Sequence, residues 1–142
     1  MTDIIESAIV RRLLEEPAVA DLISDRIDEG RPAQGSKLPA VAYFEVFHQS
    51  GQTTGSSRSA RRMGPEMKSL QFNCFARTVL EAEAVRDAVR GLLQGFAGGL
   101  GAFYVKGIFW VNGGSIDPDP DQKPSSIVFG RWAQFDVHYR FA

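Results

Sequence analysis

The chain has 142 residues, 44% of them hydrophobic and 23% charged, with a formal net charge of −1. That length suits one ordinary core, which buries roughly 68–70% of the unfolded surface without staples. The near-neutral total gives no global reason to expect nucleic acid or an anionic membrane as partner, and a single cysteine, Cys74, rules out an intramolecular disulfide and argues against a thiolate metal cluster.

The first residues, Met1-Thr2-Asp3, are acidic, and the apolar positions after them are broken by Glu6, Arg11 and Arg12. This lacks the basic start and unbroken apolar stretch of a signal peptide. No apolar run reaches the length of a membrane span, so a soluble compartment is expected. Asp3 and Glu6 have capping-box spacing. Ile4, Ile5, Ala8, Ile9 and Leu13 then predict one apolar helical stripe. Pro17 ends this helix near Glu15–Glu16 and opens a second, short one with Val19, Leu22 and Ile23 on its apolar side. Residues 28–39 have loop composition.

Strand signals begin at Ala40, where the run to Phe47 is β-branched and aromatic. Residues 48–65 hold Gly51, Gly55 and Gly64 among serines and threonines, with almost nothing apolar, and are expected to form an exposed arm. A second strand follows from about Lys68 to Ala76. Thr78-Val79-Leu80-Glu81 is a second capping box. Behind it Ala82, Val85, Ala88, Val89, Leu92 and Leu93 form a helical stripe that should stop before Gly98-Gly99. Residues 102–111 predict a third strand and 112–125 an exposed loop. From Ala133 to Phe141 odd positions are apolar and even positions polar, the pattern of a strand with one buried face. The expected fold is α+β: a four-stranded, mainly antiparallel sheet packed by the central helix, with N-terminal helices and a long mobile hairpin arm, all in one domain spanning 1–142.

Motifs that carry chemistry are scarce. His48 and His138 stand far apart, one opening the arm and one on the polar side of the last strand, which is where surface histidines fall. Cys74 alternates with polar neighbours, as a small core residue does. Asp117-Pro118-Asp119-Pro120-Asp121 lacks the turn glycine and distal glutamate of a calcium loop. Gly98-Gly99-Leu100-Gly101 lacks the Lys-Ser/Thr pair of a phosphate loop and is expected to be a flexible link. No catalytic, cofactor-binding or metal-ligating set is expected, and no cofactor. The aromatics Phe103, Tyr104, Phe109, Trp110 and Trp132 suit sheet packing or a subunit interface.

Charge is unevenly spread. Residues 1–30 carry eight acids against Arg11, Arg12 and Arg26, a net of −5, while residues 48–65 carry Arg58, Arg61 and Arg62 and no acid. Unlike patches of this kind serve contacts between protein copies. Arg58, Arg61 and Arg62 are therefore the candidate contact residues. A solvated hairpin tip and an arm that orders on an acidic partner or nucleic acid both fit them, and a protein partner fits three arginines without interleaved aromatics better than single-stranded DNA does.

Leu70-Gln71-Phe72-Asn73-Cys74-Phe75-Ala76, then Thr78, Glu81-Ala82-Glu83-Ala84-Val85 and Val89, resembles the tail-completion, or tail terminator, proteins of long-tailed bacteriophages and of gene transfer agents. Glu16-Pro17-Ala18-Val19-Ala20-Asp21-Leu22, Leu38-Pro39-Ala40-Val41 and the closing Phe135-Asp136-Val137-His138-Tyr139 extend the resemblance over nearly the whole chain. It implies a non-enzymatic virion part, assembled in the bacterial host cytoplasm: a homo-oligomeric ring, commonly hexameric, that sits on the tail tube protein, ends its polymerisation and joins a head-tail connector or stopper protein. DNA passes through such a ring without sequence-specific binding, and no membrane is involved. Another neck protein of the same particle, or a small ligand-binding α+β module that dimerises, are the alternatives.

Overall fold

Four long segments with alternating apolar residues pair into the body of one sheet, and the apolar stripes of three helices cover one side of it. The computed structural model describes residues 4–32, 37–50, 65–118 and 127–142, the side chain of Ser50 excepted. In chain order come α1 (Ile5–Glu15), α2 (Pro17–Ile23), β1 (Ile27–Glu29), β2 (Ala40–Ser50), β3 (Glu66–Ala76), α3 (Val79–Leu93), β4 (Gly98–Leu100), β5 (Phe103–Ile116) and β6 (Phe129–Phe141).

The sheet has six strands, in the order β1-β2-β3-β6-β5-β4, where sequence patterning predicts four. The two additional strands are the short ends. Pairing of β1 with β2 is parallel and every other pairing is antiparallel. The three-residue end strands cover only Val41–Tyr43 of β2 and Phe103–Val105 of β5. Residues 98–101, expected as a flexible link, instead supply β4 and the first residue of its turn into β5. Residues 112–116, expected as loop, extend β5; β2 runs on to Ser50, inside the span expected to be arm, and β3 starts at Glu66, two residues before the expected Lys68.

Alternation along β3 and β6 sorts the faces. Leu70, Phe72, Cys74 and Ala76 of β3 and Ala133, Phe135, Val137 and Tyr139 of β6 are buried under the helices. Ile5, Ala8, Ile9 and Leu13 of α1 and Ala82, Val85, Val89 and Leu93 of α3 are the buried stripes that meet them, and one continuous apolar cluster results. Ile4, expected on the α1 stripe, is exposed and caps the helix without a side-chain hydrogen bond. Phe72 and Phe135 meet edge-on with ring centroids 6.0 Å apart. Each such fully buried ring contributes about 1.5–3 kcal/mol of hydrophobic free energy. Thr78 caps α3 as its sequence predicts, its Oγ1 accepting from the Glu81 N–H at 3.1 Å.

Register slips between Glu45 and Phe47, between Val105 and Gly107 and between Trp110 and Asn112 mark bulges. Bulges bend a strand and strengthen its twist, which accounts for a sheet that curls around its helices.

Candidate assembly surfaces

The hairpin of β2 and β3 has 11 residues in each strand and measures about 36 Å at the usual strand rise. A chain of charges tightens its outer half. Lys68 Nζ lies 2.9 Å from Glu6 Oε1 of α1 and 3.4 Å from Glu45 Oε1 of β2. His48 Nε2 lies 2.7 Å from Glu66 Oε2, and His48 Nδ1 lies 3.8 Å from Glu45. Glu66 is almost wholly buried. His48, expected as plain surface, therefore bridges the two strands at the last ladder pairs before residues 51–64. Glu6 serves this network, not the cap of α1. Burial first, then the charges of Glu66, Glu6 and Glu45, push the Tyr139 hydroxyl well above its ordinary range.

The sheet face away from the helices is mixed. Ser69 Oγ donates to Asp136, Gln71 Nε2 donates to Asn73 Oδ1 at 2.9 Å, and Phe109 meets the His138 ring at 5.5 Å. Phe47, Phe109 and Tyr104 stay exposed on it, so part of the aromatic set lies outside the core while Phe103 is inside. On the helical side Trp110 is pinned between Phe135 and Arg90, whose guanidinium carbon is 4.0 Å from the indole.

A third surface lies between α1 and the terminal strand β4. Arg11, Arg12 and Glu15 of α1 face residues 99–101 across a groove of about 280 Å³. Arg12 stacks its guanidinium on Phe96 at 4.0 Å, and its Nε is buried without a hydrogen bond among the described residues. Beside the other terminal strand, β1, stand Asp21, Asp25 and Glu29, all exposed. Arg26, in their midst, points its Nε at the Pro39 carbonyl, 2.8 Å away. Burial first, then the charges of Glu29, Glu6 and Asp28, raise the Tyr43 hydroxyl above its ordinary value.

Arg58, Arg61 and Arg62 fall outside the described residues, as do Asp3 and residues 119–126. Among the described residues no group of three or more His, Cys, Asp or Glu side chains is arranged to hold a metal ion, and no helix is long and apolar enough to cross a membrane. Cys74 is fully buried, and that burial pushes its thiol up to about 12. The His48–Glu66 bridge and the α1–β4 groove were missed in the sequence because each joins residues distant along the chain.

A family model described as "Tail completion protein gp17" matches residues 7–132. Curated protein sequences give no match. Among solved structures, a chain of "Virion of native gene transfer agent (GTA) particle" superimposes with a TM-score of 0.67 at 12% sequence identity, over 96% of this chain and 94% of that one. At that identity the likeness is one of fold.

Proposed function

Because this chain belongs to the tail completion protein gp17 family, and so is a structural part of a phage-like tail, we propose that it acts as one unit forming a ring that caps the tail tube. On this reading the ring, commonly hexameric, ends tube polymerisation and offers its far side to the connector or stopper of the head. The observation that carries the reading is the family match over residues 7–132. The β2–β3 hairpin agrees with it physically: β3 is paired with β6 along its whole length and His48 ties its last rungs to β2, a firm base for contacts with a neighbour.

On the same reading Arg58, Arg61 and Arg62, carried between the two strands of that hairpin, contact a neighbouring subunit or the adjacent tube ring. The three together set against an acidic partner surface would add charge-assisted hydrogen bonds. Changing all three to Ala is expected to weaken tail completion or head joining while leaving the thermal unfolding of the domain unchanged. Normal particle assembly by that variant would overturn the role of the arm. A salt-sensitive affinity of the isolated protein for DNA, lost in the same variant, would reassign the arginines to the passing nucleic acid.

The ring itself is tested by imaging particles made without this protein. Tails of uncontrolled length, or tails of normal length that never carry heads, are expected. Complete, infective particles lacking the protein would refute the assignment.

A further inference from the structure

We infer that the α1–β4 groove of one copy receives the acidic α2–β1 corner of the next, making the contact that closes the ring; the inference rests on the ring reading above. The two surfaces belong to opposite ends of the sheet, since β4 and β1 are the terminal strands of the order β1-β2-β3-β6-β5-β4. They are five strand spacings apart, about 24 Å along the sheet. Their charges are unlike. Arg11 and Arg12 outweigh Glu15 in the groove, whereas Asp21, Asp25, Asp28 and Glu29 outweigh Arg26 and Arg31 across residues 21–31.

Arg12 adds an independent sign that the groove awaits an acceptor. Its Nε is out of solvent and makes no hydrogen bond among the described residues, while its guanidinium carbon lies 4.0 Å from the centre of the Phe96 ring. Buried donors in native proteins are nearly always paired, and a carboxylate is the acceptor that a fixed guanidinium recognises best. The backbone is also prepared. Antiparallel pairs alternate between bonded and unbonded, and Leu100 opposite Phe103 flanks a two-residue turn, so Gly99, opposite Tyr104, is at the unbonded position with its N–H and C=O directed outward.

Direction and charge together select a head-to-tail contact. Following the pairings across the sheet, β1 and β4 run the same way. A rotation about an axis alongside the strands brings β4 of one copy beside β1 of the next as a parallel pair. A two-fold contact would set groove on groove or corner on corner, arginine on arginine or acid on acid, and like charges across an interface are disfavoured. A contact between two different patches is heterologous, and it makes a ring when its rotation closes.

The test is a reciprocal charge swap on the full chain, read by native mass and sedimentation, with circular dichroism to confirm folding. One variant carries Arg11→Glu and Arg12→Glu. The other carries Asp21→Lys, Asp25→Lys and Glu29→Lys, all at exposed positions. Each alone is expected to need about 100-fold higher concentration to assemble than the wild type. Mixed in equal amounts, they are expected to regain the wild-type oligomer with strictly alternating copies, because every contact in that ring is again between opposite charges. Assembly of either variant alone at wild-type concentrations overturns the inference, and so does a mixture that stays monomeric. Should the Arg12 change disturb folding, Arg11→Glu alone replaces it in the same mixing design. A wild-type chain that is monomeric at every concentration overturns the ring reading itself, whereas a wild-type ring indifferent to both reversals overturns only this contact.

Discussion

Glu66 Oε2 stands 2.7 Å from His48 Nε2 across the outer rungs of the β2–β3 hairpin, with the glutamate side chain only 2% exposed and the histidine 40% exposed. The buried partner has the most to lose when the exposed one is removed. A carboxylate deprived of a hydrogen-bond partner in such a place costs about 1–3 kcal/mol. His48→Ala is therefore expected to lower the unfolding free energy by about 2 kcal/mol in urea titrations. Glu66→Gln, which leaves an uncharged amide, is expected to cost less. Equal losses in the two variants would mean that the charge of Glu66 contributes nothing at this site.

Thr78 illustrates a signal that is complete within four residues. Its Oγ1 accepts from the Glu81 N–H at 3.1 Å, one of the first-turn donors of α3 that has no partner inside the helix. Thr78→Ala is expected to cost about 1 kcal/mol, and Thr78→Ser much less. Thermal unfolding of both variants checks this. Equal melting temperatures for Thr78→Ala and wild type would show that solvent caps α3 just as well.

Where sequence reading succeeded and failed follows from the range of the forces involved. The Thr78–Glu81 cap, the α3 stripe and the alternation from Ala133 to Phe141 are set by neighbours a few positions away, and all three are found in the structure. The strands β1 and β4 are set by what lies beside them. Gly98 and Gly99 have no strand propensity of their own, yet they pair with Val105 and Tyr104. Ile27–Glu29 is a strand because β2 runs parallel to it. Glu6 has the spacing of a cap, but Lys68, 62 positions on, holds it instead. In the same way, the groove that brings Arg11 and Arg12 to Gly99 could not be seen from either segment alone. Arg58, Arg61 and Arg62 were legible as a basic cluster through composition, which says nothing of where they point.

The extension of β5 through Gly113 and Gly114 has a physical cause that is also testable. A Cβ built on Gly113 would collide with the Trp110 indole and reach 3.0 Å from the Trp132 carbonyl oxygen. Trp110 cannot swing aside freely, because Phe135 meets it at 5.7 Å and Arg90 stacks on it at 4.0 Å. Gly107 looks similar at first, its added Cβ falling 2.8 Å from Phe109 Cζ. However, Phe109 is 54% exposed and its ring has solvent to turn into. Gly113→Ala is expected to destabilise by about 1–3 kcal/mol, as overpacking does, with a shift in tryptophan emission. Gly107→Ala is expected to cost under about 1 kcal/mol. The reverse order would mean that the Trp110 side is the one that yields.

Alkaline pH tests the core from the other direction. Burial, opposed only in part by Arg86, raises the Cys74 thiol from 9.0 to about 12. Below pH 9 the folded and unfolded chains both keep the proton. Above it the unfolded chain releases the proton while the folded chain retains it, so the unfolded state binds fewer protons and stability falls as pH rises. Between pH 9 and about 12 the loss from this one group is about 1.4 kcal/mol per pH unit. Tyr139, also raised by burial, adds a loss of the same sign that begins one unit higher, at its ordinary value of 10.0. Cys74→Ala is expected to start less stable at neutral pH, because a fully buried sulfur is deleted. It should then lose stability more slowly than wild type as pH climbs from 9. Urea unfolding at successive pH values gives both slopes. Parallel lines for the two proteins would mean that the thiolate forms as easily inside the fold as outside it, and that Cys74 is not sealed beneath α3.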